Sequence, residues 1–148
     1  MEIVTATLDS LDELAPLFDA YRGFYARPSD LDAARAYLRQ RILLGESVVY
    51  LARTQDGALG FTQLYPTFSS LSLKRLWVLS DLFVIPEARG RRVGEALLNA
   101  AIGLARATDA AGLVLETAHD NVSGQRLYER VGFTRTDLEF RTYFLETS

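Results

Sequence analysis

Three arginines, Arg89, Arg91 and Arg92, stand among two glycines, Gly90 and Gly94, where an apolar run closing on Val84-Ile85-Pro86 gives way to a helical pattern. Guanidinium groups take phosphate oxygens through paired N–H bonds. Val93, Ala96, Leu97, Ala100, Ala101 and Leu104 recur at helical spacing, which predicts a helix opening near Gly90. The first N–H groups of such a helix lack intrahelical partners and lie at the positive end of its dipole, so they add donors for the same anion. Glycines at this place permit unusual backbone angles or close approach of a ligand. The stretch Asp81–Leu98 therefore reads as a socket for a phosphorylated ligand. The same residues also fit an ordinary turn with a solvated arginine cluster.

Other phosphate sockets fit worse. The chain has no G-x-x-x-x-G-K-[ST], and its glycines do not form G-x-G-x-x-G. The run Arg89-Gly90-Arg91-Arg92-Val93-Gly94 instead resembles the acyl-CoA signature [QR]-x-x-G-x-[GA] of the GCN5-related N-acetyltransferases (GNAT), with Arg92 where that family usually has glycine. Residues 121–133, NVSGQRLYERVGF, are similar to the same family's N-x-x-[AS]-x-x-x-Y-x-x-x-G-F through Asn121, Tyr128, Gly132 and Phe133, with Gly124 in place of the common small residue. Between the two motifs Gly112–Ala118 reads as a buried strand, and a closing strand is expected near Thr136–Leu145. The resemblance spans nearly the whole chain. It is nearest to the small-amine and histone-like branch, in which a strand ending in D-[LF]-[FY]-V precedes the cofactor turn.

That resemblance implies an α/β (α+β) GNAT fold, one domain over residues 1–148, with a mixed central sheet of about six to seven strands and about four helices. It implies acetyl-CoA as cosubstrate, no metal, and direct transfer of acetyl to a primary amine of a small molecule or protein. By the same resemblance, cofactor contacts are expected at Leu82, Phe83, Val84, Arg89, Gly90, Arg91, Arg92, Val93, Gly94, Glu95, Asn121 and Tyr128. In relatives the strand before the turn carries a bulge that exposes amides such as that of Val84 to the thioester. Tyr128 matches the tyrosine that protonates the departing thiolate; by itself it also fits a packed aromatic on the helix Asn121–Val131. An alkylammonium must shed a proton before attack, and Asp81 is the leading base, with a hydrogen-bonding role at the strand centre as its other reading. Polyamine-type relatives have an acid directly before it, where this chain has Ser80. Glu116 on the next strand is the substitute base, acting through water. His119 has the right intrinsic pKa, in a position that equally suits a loop residue. Tyr25, Tyr65 and Phe68 are expected to wall the amine site, although Tyr21, Phe24 and Tyr25 also have the spacing of a core stripe. Similar enzymes pair through their C-terminal strands, so a homodimer using Phe140, Tyr143 and Phe144 is expected, although the same residues also fit closure of the core. Two rivals stay open: a non-catalytic acyl-CoA sensor, and an acyltransferase using a longer acyl-CoA.

Composition narrows the setting. A chain of 148 residues, 49% hydrophobic, is one domain's worth and can bury a sizeable core. No apolar run reaches transmembrane length, and Glu2, Asp9, Asp12 and Glu13 do not suit a signal peptide, so a cytoplasmic protein without membrane contact is expected. A formal charge of −3 gives no general pull toward nucleic acid. All but one of the sixteen basic residues are arginine, Lys74 being the exception. With no cysteine there is neither a disulfide nor an acetyl-cysteine intermediate, and with one histidine a metal cluster has little support.

The elements that must position these groups follow from periodicity and punctuation. Glu2–Leu8 alternates as an opening strand, and Leu11–Tyr25 is a helix with Pro16 in its early turns. Ser29 with Asp32 forms the expected cap of a second helix running to about Leu44. Ser47–Arg53 and Ala58–Tyr65 flank the hairpin signal Gln55-Asp56-Gly57, and Leu76–Val84 is a central apolar strand.

Overall fold

Alternation along the strands sorts the apolar residues onto two faces, and each face carries its own helices. The computed structural model describes residues 1–148, which form two compact units, Met1–Glu116 and Thr117–Ser148. The first holds β1 (Glu2–Thr5), α1 (Leu11–Phe24), α2 (Leu31–Leu43), β2 (Val48–Thr54), β3 (Gly57–Ser69), β4 (Lys74–Val84), α3 (Val93–Ala107) and β5 (Gly112–Val114). Val49, Leu51, Phe61 and Phe83 point to the face covered by Leu14 and Phe18 of α1 and Leu38 of α2. Their chain neighbours Tyr50, Ala52, Leu82 and Val84 point the other way, onto Val93 and Leu97 of α3. This period of two is what a sheet buried on both faces requires.

The sheet has five strands in the order β1-β2-β3-β4-β5, fewer than the six to seven expected. The first three pairings are antiparallel; β4 and β5 run parallel, and α3 is the crossover that parallel neighbours need. The difference in strand count has local causes. On β3, Gln63 pairs with Asp81 and the adjacent Leu64 with Leu79, so Ser80 is an extra residue bulged out of β4. The parallel ladder with β5 stops just before it, at Val78↔Val114, and the expected strand Gly112–Ala118 is cut to three residues. Residues 134–148 contain only a turn at 137–139, so the closing strand near Thr136–Leu145 does not form. Leu138, Phe140, Tyr143, Phe144 and Leu145 are all strongly exposed and close no core.

Helix starts also differ from expectation for stated reasons. Asp30, not Ser29 or Asp32, caps α2, its Oδ1 accepting from Ala33 N–H at 3.1 Å, while Ser29 Oγ donates to Asp19 Oδ2 at 2.6 Å. α3 begins at Val93 and not at Gly90, because Gly90 (φ +80°) and Arg92 (φ +62°) are both left-handed and cannot belong to a right-handed helix.

In the second unit, α4 (Val122–Val131) has both ends built from the NVSGQRLYERVGF motif. Asn121 Oδ1 accepts from Gly124 N–H at 3.2 Å, and its Nδ2 donates to Thr117 Oγ1 at 2.9 Å. A Cβ on residue 124 would stand 2.4 Å from Asn121 Nδ2, so the glycine lets this cap close. At the other end Gly132 is left-handed at φ +124°, and the N–H groups of Phe133 and Gly132 return to the Tyr128 and Glu129 carbonyls at 2.9 and 3.2 Å. This is a Schellman stop, with Tyr128 against Phe133 as its apolar contact.

A non-glycine residue held left-handed stores strain of about 1–3 kcal/mol, and the exposed Arg92–Glu95 pair offsets little of it. Arg92→Gly is therefore expected to raise stability by about 1 kcal/mol after the greater freedom of glycine in the unfolded chain is subtracted. Urea unfolding should show a higher midpoint at unchanged slope; an equal or lower midpoint would mean that Arg92 is not strained.

Candidate active site

Phe61, Gln63 and Tyr65 lie two apart on β3 and share the face that α1 and α2 cover. Gln63 is fully buried, and its Nε2 donates to Asp81 Oδ2 at 2.6 Å across the ladder. Ser80 Oγ donates to Asp81 Oδ1 at 3.3 Å, Thr62 Oγ1 to the Asp81 carbonyl at 2.8 Å, and Tyr21 Oη to the Ser80 carbonyl at 3.2 Å. Asp81 is only 7% exposed. Burial pushes its carboxyl above the ordinary range, opposed by hydrogen bonds from Gln63, Tyr21 and Ser80. Tyr37 and Tyr65 share a hydrogen bond of 2.6 Å between their hydroxyls, and burial, with Tyr37 and the Asp81 charge, raises the Tyr65 phenol. Asp81, Tyr21, Tyr25, Tyr37 and Tyr65 line one cavity of about 770 Å³ between these elements, with Arg22 and Arg27 also in its wall.

A second feature of the same unit is the edge of β4. Ile85 N–H donates to the Leu59 carbonyl of β3 at 2.9 Å. Main-chain groups alternate sides along a strand, so the N–H groups of Leu82 and Val84 point away from β3, beyond the place where β5 stops pairing. Arg89 Nε donates to the Val84 carbonyl at 3.1 Å on that same side, and Arg91 Nη2 to the Glu87 carbonyl at 2.7 Å. The turn thus folds its arginines onto the strand end and leads into an α3 N-terminus with no side-chain cap. Unpaired strand donors, guanidinium groups and free helix N–H groups suit an extended ligand ending in phosphates.

The expected site residues distribute unevenly. Asp81, Tyr25 and Tyr65 meet in the cavity. Phe68 lies outside its lining, is 72% exposed and sits beneath the Arg75 guanidinium. Glu116 is exposed and follows the end of β5, so it is not on a strand beside Asp81. Phe83 is buried in the α1–α2 core, and Val93 is buried at the base of α3. Gly90 and Gly94 stand on either side of Arg91 and Arg92, and Glu95 faces Arg92 at 3.6 Å. In the second unit Tyr128 is half-buried beside Phe133, Asn121 is the α4 cap, and His119 is exposed. Sequence reasoning missed Gln63, Tyr37, Arg22 and Arg27. Gln63 had a signal, a polar residue at an inward position of an apolar strand; the others had none, since only tertiary packing brings them together.

Residues 12–133 match the acetyltransferase (GNAT) family. The chain belongs to the GNAT family of acetyltransferases. As a GNAT acetyltransferase it is similar to the uncharacterized N-acetyltransferase YhfO of Bacillus subtilis, 45% identical over 133 residues, 90% of this chain and 89% of that one. A crystal structure of a probable acetyltransferase, 48% identical, superposes with a TM-score of 0.93 over 100% of this chain and 99% of the other. An aminoglycoside N-acetyltransferase in complex with CoA shares the GNAT fold at a TM-score of 0.82, covering 99% of this chain and 93% of that one at 19% identity. No helix of this acetyltransferase is long and apolar enough to cross a membrane.

The raised carboxyl of Asp81 has a consequence for stability. A carboxyl whose folded-state pKa lies above its ordinary value of 3.8 binds protons more tightly in the folded chain, so stability falls as pH rises from 3.8 through the raised pKa. Asp81→Asn keeps the size of the side chain and an acceptor for Gln63 Nε2 while removing the charge. The variant should melt above the native protein at pH 7, with the gap closing as pH falls toward 3.8. Melting curves across pH check this; a gap that is absent at pH 7 or widens on acidification would contradict it.

Proposed function

We propose that this chain is an acetyl-CoA-dependent N-acetyltransferase that moves acetyl directly to a primary amine of a small molecule or protein, with residues 1–148 acting as one catalytic domain. The observation that carries this reading is the juxtaposition on β4 of a buried Asp81 at a tyrosine-walled cavity with an unpaired strand edge that runs into the arginine turn.

The turn fits the cosubstrate. Gly90 and Arg92 are left-handed, no side chain caps α3, and Arg89 and Arg91 are fixed by main-chain carbonyls at its mouth, so phosphate oxygens find N–H donors already aimed. Arg89, Gly90, Arg91, Arg92, Val93 and Gly94 would hold the pyrophosphate. The amides of Leu82 and Val84 would bind the extended arm as an added strand does. Acetyl-CoA supplies the thioester-activated acetyl group. Asp81 takes the proton that an acceptor ammonium must lose, and a carboxyl raised by burial is a better base than an ordinary one. Tyr128 Oη delivers a proton to the departing thiolate. Glu116 and His119, both exposed, hold no part in this scheme.

Calorimetric titration with acetyl-CoA tests the socket. Saturable binding is expected, weakened about tenfold or more by Arg89→Ala with Arg91→Ala, as loss of charged hydrogen bonds implies; a folded protein with no binding would overturn the reading. Tyr128→Phe should bind acetyl-CoA as the native chain does and release thiol on the order of 10²-fold more slowly with saturating amine. Unchanged turnover would remove Tyr128 from the proton transfer.

A further inference from the structure

The cavity at Asp81 is larger and more varied in charge than an amine requires. Its volume, about 770 Å³, is in the range that holds a drug-sized ligand. Phe18, Tyr21, Tyr25 and Tyr37 give it aromatic walls, and Asp81 supplies a buried negative group. Arg22 and Arg27 lie in the same wall on the last turn of α1 and the segment after it. Neither guanidinium forms an ion pair or side-chain hydrogen bond, in contrast to Arg35, Arg41 and Arg53, which all do.

The Asp19 carboxylate and that of Asp30, which also lines the cavity, are engaged in other bonds. Asp19, whose pKa Arg22 helps to lower, accepts from Ser29 Oγ at 2.6 Å and from Asp30 N–H at 2.8 Å. Asp30 accepts from Ala33 N–H as the α2 cap. Two guanidinium groups with open donors at a cavity wall call for an acceptor anion, and they oppose a polyamine whose far end is cationic.

We propose that the acceptor is a zwitterion of amino-acid or short-peptide size, its amine at Asp81, its apolar body against the tyrosines and its carboxylate on Arg22 and Arg27. This rests on reading the cavity as the acceptor site of the acetyltransferase. Planar guanidinium groups match a carboxylate through paired N–H bonds, and aromatic walls give an apolar side chain its contact area.

The test compares thiol release from acetyl-CoA with phenylalanine, leucine and the dipeptide phenylalanyl-leucine, each beside its C-terminal amide, and with phenethylamine and isoamylamine as decarboxylated counterparts. Free acids should be preferred over amides by about tenfold or more in kcat/KM, and the dipeptide arm reports the size of acceptor that fits. Arg22→Ala with Arg27→Ala should bring the acid-to-amide ratio close to one through KM, and Arg22→Glu with Arg27→Glu should invert it. Amides or decarboxylated amines used as well as the free acids overturn the zwitterion, as does an enzyme that binds acetyl-CoA and acetylates none of the free acids, or an acid preference that survives the charge reversal. Failure to bind acetyl-CoA at all overturns the acetyltransferase reading itself, and calorimetry separates that result from the others.

Discussion

One extra residue in β4 governs the rest of the structure. Because side chains alternate along a strand, Ser80 reverses the facing of everything on one side of it relative to the other. Its position puts Asp81 opposite Gln63, on the face where α1 and α2 leave a cavity, while Val78 on the other side still pairs with β5. A regular ladder through Ser80 would extend β5 alongside Leu82 and Val84 and satisfy their amides within the sheet. The bulge thus does two things at once: it brings a carboxylate to the cavity and stops the neighbouring strand before the main chain it would have covered.

Burying that carboxylate is costly, and its surroundings explain how the fold tolerates it. Asp81, Gln63 and Thr62 are the buried polar side chains of the sheet, and all three meet at the bulge. Gln63 Nε2 and Ser80 Oγ supply donors to the carboxyl oxygens, and Thr62 ties the Asp81 carbonyl, so the group is oriented as well as partly compensated. The compensation is incomplete, because burial still raises the pKa. A fully paired carboxylate would be a weak base. Partial desolvation beside fixed donors yields a group that stays in one orientation and holds a proton more tightly than an ordinary carboxyl.

What could be read in the sequence was local. The α4 motif is legible because Asn121, Gly132 and Phe133 cap and stop a helix through bonds that span a few residues. The arginine turn is legible for the same reason, its glycines and arginines lying within six consecutive positions. The cavity was only half visible: Asp81, Tyr25 and Tyr65 came from the sequence, but Tyr37 reaches Tyr65 from a different helix and Gln63 reaches Asp81 across a strand pair. Tyr21 and Phe24 show the limit of periodicity. Both sit on an apolar stripe of α1, yet Tyr21 lines the cavity and Phe24 is 67% exposed, because the stripe outruns the sheet beneath it. Strand lengths were least legible. Nothing in Gly112–Ala118 announces that its partner bulges at Ser80, and nothing in Thr136–Leu145 announces that no strand pairs with it.

Arg92 shows how site chemistry and backbone preference can oppose each other in one residue. The turn needs a left-handed residue before Val93, and glycine would meet that need without strain. Arginine meets it with strain, but places a further cation at the mouth of a helix whose N–H groups already favour an anion. Its guanidinium, on a side chain that is 85% exposed, meets only Glu95 at 3.6 Å, so it is restrained loosely and can leave that carboxylate for an anion. The αL backbone carries its cost throughout the folded chain, whereas the charge gains only when an anion stands at the turn. A constant conformational cost carried by an exposed cation is what a binding turn would explain and ordinary punctuation between strand and helix would not.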